Sequence, residues 1–133
     1  MKKYLLTPGP VEVPAQVLAA MGRQQVNHRG AYFSDVFTSV EKKLAVLLDS
    51  NAPVVILPAS GTGALECAAV NFLKTGDKFI SVSCGNFGSR FREIATRTGA
   101  TCIPCDIPSG SAPTPAQVRE IVDANPDAKV LLL

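Results

Sequence analysis

Two short stretches hold the residue types that could do chemistry. The first, Ala59-Ser60-Gly61-Thr62-Gly63-Ala64, places glycines and hydroxyls between an apolar run and a helical pattern. Glycines without a Cβ let backbone N–H groups close on an anion, and Ser60 and Thr62 add hydroxyl donors. The helix that follows presents about half a positive charge at its start. Such a turn suits a single phosphate group. It is not a Walker A loop, because Ala64-Leu65 follow Gly63 where Lys-Ser/Thr is required. A dinucleotide fingerprint needs a small residue where Glu66 stands, and a nucleophile elbow needs glycine where Pro58 and Thr62 stand. A helix-entry turn capped by a hydroxyl has the same composition, so spacing alone leaves both readings open.

The second stretch is Cys84-Gly85-Asn86-Phe87-Gly88-Ser89. An aromatic between glycines at a sheet end is placed to lie flat on a planar ring. The alternative is a helix-entry staple, with Phe87 near Phe91 and Asn86 or Ser89 as the cap. His28-Arg29-Gly30 contains the only histidine, with no second histidine or acid at ligand spacing, which argues against a metal. Arg29 could grip a carboxylate or phosphate, or stand as a solvated loop charge. Cys102-Ile103-Pro104-Cys105 has the spacing of a redox or zinc pair. It reads as a strand, however, where residues three apart face opposite ways, so reduced, packed cysteines are expected at 67, 84, 102 and 105.

The elements that must position these stretches follow from periodicity. A short helix is expected from Pro14 to about Arg23. A longer one is capped by Ser34 and carries Val36, Phe37, Val40, Leu44, Leu47 and Leu48 on one stripe that needs a partner. From residue 53 the pattern alternates: strand Val54 to Leu57, helix Ala64 to Leu73, strand Phe79 to Ser83, helix Arg90 to Arg97, strand Thr101 to Cys105. A helix from Pro115 to Asp123 and a strand from Lys129 to Leu133 complete it. The expected class is α/β with a mostly parallel sheet, residues 1–52 forming an extended and helical start and 53–133 the first part of a ligand-binding domain.

Composition excludes several functions. With 133 residues, 47% hydrophobic and 18% charged, the chain is one globular domain or a piece of a larger one. A net charge of +2, with no basic run longer than Lys2-Lys3 or Lys42-Lys43, leaves no footprint for nucleic acid or an acidic membrane. Its apolar stretches fall well short of the roughly 20 residues of a membrane helix. Thr7-Pro8-Gly9-Pro10 interrupts the start before a signal peptide could form, so a cytoplasmic location is expected. Val130 to Leu133 reads as a central, doubly covered strand, which suggests the amino-terminal part of a longer protein.

Taken in order, Leu6-Thr7-Pro8-Gly9-Pro10, His28-Arg29, Ala59-Ser60-Gly61-Thr62-Gly63-Ala64-Leu65-Glu66, and Gly85-Asn86-Phe87-Gly88 followed by Arg90 resemble class V aminotransferases of fold type I. The nearest subgroup is the alanine-glyoxylate, serine-pyruvate and aminoethylphosphonate-pyruvate transaminases. The resemblance implies the amino-terminal part of a three-layer αβα domain and pyridoxal 5'-phosphate as cofactor. It implies that Ser60, Gly61 and Thr62, supported by Gly63, hold the cofactor phosphate and that Phe87 stacks on its ring. Gly9 and Arg29 fall on the substrate side. It further implies small amino acid and 2-oxo acid substrates and a homodimer. The family's Schiff-base lysine, pyridine-facing acid and substrate-binding arginine all fall beyond residue 133, so this chain alone is expected to be inactive. A desulfurase or other class V lyase is a competing member, disfavoured because desulfurases place histidine where Phe87 stands. A non-catalytic α/β module for another phosphorylated ligand is the remaining alternative.

Overall fold

Phe79, Ile80 and Val82 put apolar side chains on both faces of one strand, a pattern that only a doubly covered position accommodates. In the computed structural model, which describes residues 4–7 and 9–133, that strand is the centre of a three-stranded sheet. The elements are α1 (Ala15–Met21), α2 (Ala31–Leu47), α3 (Gly61–Phe72), β1 (Lys78–Ser83), α4 (Asn86–Thr96), β2 (Thr101–Asp106), α5 (Pro115–Asp123) and β3 (Val130–Leu132). They fall into two units, Met1–Ile56 and Leu57–Leu133. Pro8 of the Thr7 to Pro10 segment lies outside the described residues, as do Lys2 and Lys3.

In the unit Leu57–Leu133 the strand order is β2-β1-β3 and both pairings are parallel, from Lys78 opposite Thr101 to Ser83 opposite Asp106, and from Phe79 opposite Val130 to Ser81 opposite Leu132. Odd-numbered residues of β1 face α3 and α4, where Phe79 packs with Ala69, Leu73, Ala95 and Leu132. Even-numbered ones face α5, where Ile80 and Val82 meet Ile107, Val118 and Ile121. The result is helices on both faces of a parallel sheet, the α/β class expected. β2 is an edge strand among the described residues, which is why it tolerates Pro104 and its missing N–H. Cys102 packs on the α3/α4 side and Cys105 on the α5 side, so the pair cannot chelate. All four cysteines are free, and burial pushes the Cys102 thiol above its ordinary value.

Arg92 of α4 ties the layers together. It donates to Ser81 Oγ at 3.2 Å and to Asp106 Oδ1 at 2.6 Å, and this hydrogen bond holds the Asp106 carboxyl below the usual carboxylate range. The turn before β2 depends on Gly99, whose φ of +84° is in the left-handed region and whose missing Cβ would stand 2.5 Å from Thr75 Oγ1. Gly99→Ala is therefore expected to lower stability by about 2 kcal/mol or more, from strain and overlap together, read as a lower urea midpoint.

The unit Met1–Ile56 contains α1 and α2, and none of its described residues is buried. α2 starts three residues before Ser34, with Gly30 as its extended N-cap, so Ser34 is an interior residue and not the cap expected. Its stripe stays open to solvent, with Val36 43%, Phe37 37% and Val40 40% exposed, and Phe33 and Phe37 stack at 6.0 Å. Val54 to Leu57, expected as a strand, is not one. A parallel strand exists only through hydrogen bonds to a neighbour, and among the described residues none pairs with it. Its alternation survives, with Val54 and Ile56 half-buried and Val55 and Leu57 exposed. No helix among the described residues is long and apolar enough to cross a membrane.

Candidate functional site

The glycine-hydroxyl stretch turns out to be mostly helix. Ser60 takes the extended conformation of an N-cap (φ −71°, ψ 165°), and its Oγ accepts from Gly63 N at 3.2 Å. Gly61, Thr62 and Gly63 thereby become the first turn of α3, which starts three residues earlier than expected. The Ala64 amide donates to Ser60 O. The Gly61 and Thr62 amides have no protein acceptor among the described residues, which makes them the orphan donors of a helix start. The two readings of this stretch are thus compatible. The hydroxyl caps one amide, and two amides stay open for an anion, with the Thr62 hydroxyl and the Ser60 proton beside them. A Cβ at Gly61 would meet nothing within 4 Å, whereas one at Gly63 would approach Ala59 Cβ to 3.0 Å. Gly61 therefore faces open space, and Gly63 allows the chain to turn tightly.

The second stretch was expected as a loop but is also helical, since α4 starts at Asn86. Its N-cap is Gly85, with no side-chain cap, so neither Asn86 nor Ser89 plays that part. Phe87 lies in the first turn with its side chain 74% exposed, which is not the packing of a staple. Sequence reasoning passed over Ser83, the last residue of β1. Its hydroxyl is buried and bonded into this turn, and the only signal in the sequence was a polar residue at the end of an apolar strand.

Gly61 and Thr62 from α3, Phe87 and Gly88 from α4, and Val82 and Cys84 from the end of β1 line one cleft of about 430 Å³. Ser60 and Gly63 flank the first pair in sequence. Tertiary structure has brought the two stretches to a common site, at the carboxyl end of the strands where α/β sheets bind ligands. No side chain that lines the cleft carries a charge. An anion there would be met by two helix starts, without a cationic side chain. Gly9 and Arg29 belong to the other unit, where the Arg29 amide donates to Asn27 Oδ1 at 2.9 Å in the turn before α2. Lys78 and Lys129 sit at the amino ends of β1 and β3, paired with Asp127 at 2.6 Å and Asp77 at 3.1 Å, at the end of the sheet away from the cleft.

No protein-family model matches the chain. An uncharacterized aminotransferase of Methanocaldococcus jannaschii is 34% identical over 131 residues, 98% of this chain and 34% of that protein. The small subunit of a soluble hydrogenase of a Synechococcus species is 33% identical over 124 residues, 93% of this chain and 32% of its own length. The alanine-glyoxylate aminotransferase of Oryctolagus cuniculus is 34% identical over 119 residues, 89% of this chain and 30% of that enzyme. Among solved structures, pyridoxamine-pyruvate aminotransferase from Mesorhizobium loti matches 97% of this chain and 33% of its own with a TM-score of 0.90 at 25% identity. The chain spans about a third of the length of the curated relatives it matches. In sequence and in fold the chain is similar to aminotransferases over about one third of their length.

Proposed function

We propose that this chain is the amino-terminal portion, carrying the cofactor-phosphate seat, of a pyridoxal phosphate-dependent aminotransferase that moves an amino group from a small amino acid to pyruvate or glyoxylate. The observation that carries the reading is the pair of unbonded amides, Gly61 and Thr62, in the same cleft as the exposed ring of Phe87. A doubly charged phosphate ester attached to a flat aromatic ring needs both features. The residues fit it: the two amides, Thr62 Oγ and the Ser60 hydroxyl proton are donors to the phosphate, and Phe87 offers a face to the ring. Bound there, the cofactor supplies an electron sink for the α-carbon of an amino acid. The cleft residues hold and orient it, while Lys78 and Lys129 are committed to ion pairs at the other end of the sheet. No lysine lines the cleft, so in this reading its residues hold the cofactor phosphate and ring and do not supply the Schiff-base amine. Gly9 and Arg29 complete the reading on the substrate side, within a cytoplasmic homodimer.

Pyridoxamine 5'-phosphate, which is fluorescent and needs no lysine, is the probe for this reading. Thr62→Ala is expected to weaken its binding by about 1 to 3 kcal/mol, the worth of a charge-assisted hydrogen bond, measured by fluorescence polarisation. Ser60→Ala should do the same and also cost about 1 kcal/mol of stability through the lost cap, which a parallel thermal melt separates. Binding that is unchanged in both variants, or equal binding of pyridoxamine without its phosphate, removes the phosphate seat and the reading with it.

A further inference from the structure

We infer that Ser83 is a positioning residue for Phe87. Together with Ser89 and the bare backbone of Gly88, its buried hydroxyl locks the first turn of α4 and so sets where the ring stands in the cleft. The inference rests on the reading above, in which Phe87 carries the cofactor ring.

Ser83 is only 4% exposed and is held from both sides. Its carbonyl accepts from Ile107 N at 2.8 Å, which fixes it to the chain leaving β2. Its hydroxyl lies 3.1 Å from Gly85 O and 3.2 Å from Ser89 Oγ. A hydroxyl has one proton, and a carbonyl oxygen can only accept. Ser83 therefore donates to Gly85 O, and Ser89 donates to Ser83. Gly85 O also accepts from Ser89 N at 3.1 Å, so the cap carbonyl and the side chain four residues on are clamped by one buried oxygen.

Gly88 lets the turn come this close. A Cβ there would stand 2.7 Å from Ser83 Oγ and 3.1 Å from its Cα, so no side chain fits without moving the helix start. Phe87 precedes Gly88 and is 74% exposed, so packing around its own ring does little to place it. The clamped backbone beneath it does. Stacking needs a ring held in one plane, and here the rigidity comes from a network outside the ring's own contacts.

The test compares two probes, because Ser83 touches the ring platform and not the phosphate seat at α3. In Ser83→Ala, affinity for pyridoxamine 5'-phosphate should fall roughly three- to tenfold, while inorganic phosphate, measured by competition, binds as before. Ser89→Ala, at an exposed position with little risk to folding, should give a similar fall, and Ser89→Thr, which keeps the hydroxyl, should restore binding. In a Phe87→Ala background Ser83→Ala should cost nothing further, since the residue acts through that ring. If the unaltered protein binds no pyridoxamine 5'-phosphate, the functional reading fails and this inference with it. If it binds, three results overturn the inference alone: both serine variants binding normally, phosphate weakening by the same factor, or Ser83→Ala adding its full loss to that of Phe87→Ala.

Discussion

Gly61→Asp is expected to reduce the affinity for pyridoxamine 5'-phosphate by about a hundredfold or more while leaving the fold intact. The position tolerates a side chain, because a Cβ there meets nothing within 4 Å and the backbone is not in the left-handed region. A carboxylate in the first turn of α3 would suit the helix start, adding a few tenths of a kcal/mol to stability. It would occupy the space where the two free amides face the cleft, and it would repel the ligand. Two like charges about 4 Å apart near a protein surface cost about 4 kcal/mol, more than the roughly 2.7 kcal/mol that two decades of affinity require. Polarisation titration beside a thermal melt gives both quantities. A variant that melts at or above the normal temperature and fails to bind places the phosphate at α3. One that binds normally shows that the phosphate sits elsewhere.

The second large effect concerns the sheet. Phe79→Ala is expected to cost about 3 to 5 kcal/mol in chemical denaturation. Phe79 is fully buried at the centre of the face that packs Ala69 and Leu73 of α3 against Ala95 of α4. The alanines among those neighbours have no side chain to swing into the space a lost ring would leave, and Leu73 is itself buried in the cluster. Val55→Ala is the control, within about 0.5 kcal/mol of the unaltered protein because Val55 is 77% exposed. A cost of several kcal/mol there would mean that Val54 to Leu57 is a core strand after all.

Much of the unit Leu57–Leu133 was legible because its signals are local. Thr114, Pro115 and Gln117 spell a capping box with proline at the first helical position, and α5 runs from Pro115 to Asp123 as expected. The strands expected at Phe79 to Ser83 and Lys129 to Leu133 are β1 and β3, whereas Val54 to Leu57, the short β-branched run, is not a strand, and the opposite facing of Cys102 and Cys105 followed from strand period alone. Helix starts were harder to place. In the sequence, Gly61 to Gly63 and Asn86 to Ser89 look like loops, because glycine is poor helix material. At the amino end of a helix that cost is offset by a cap, by packing, or, at Gly88, by the need for a residue with no side chain.

The sequence by itself determined the class of the fold and singled out Ser60 to Gly63 as candidates for holding an anion, since both depend on side-chain type and on spacings of a few residues. Only the tertiary structure decided that Ser60 caps α3 and still leaves two amides open, and that this turn shares a cleft with Phe87. It also decided that β1 lies between β2 and β3, and that Ser83 anchors α4. The physical reason is one of range: caps and periodicities act within a turn or two, while strand order and the meeting of two helix starts depend on which distant segments share a core, and no local pattern encodes that.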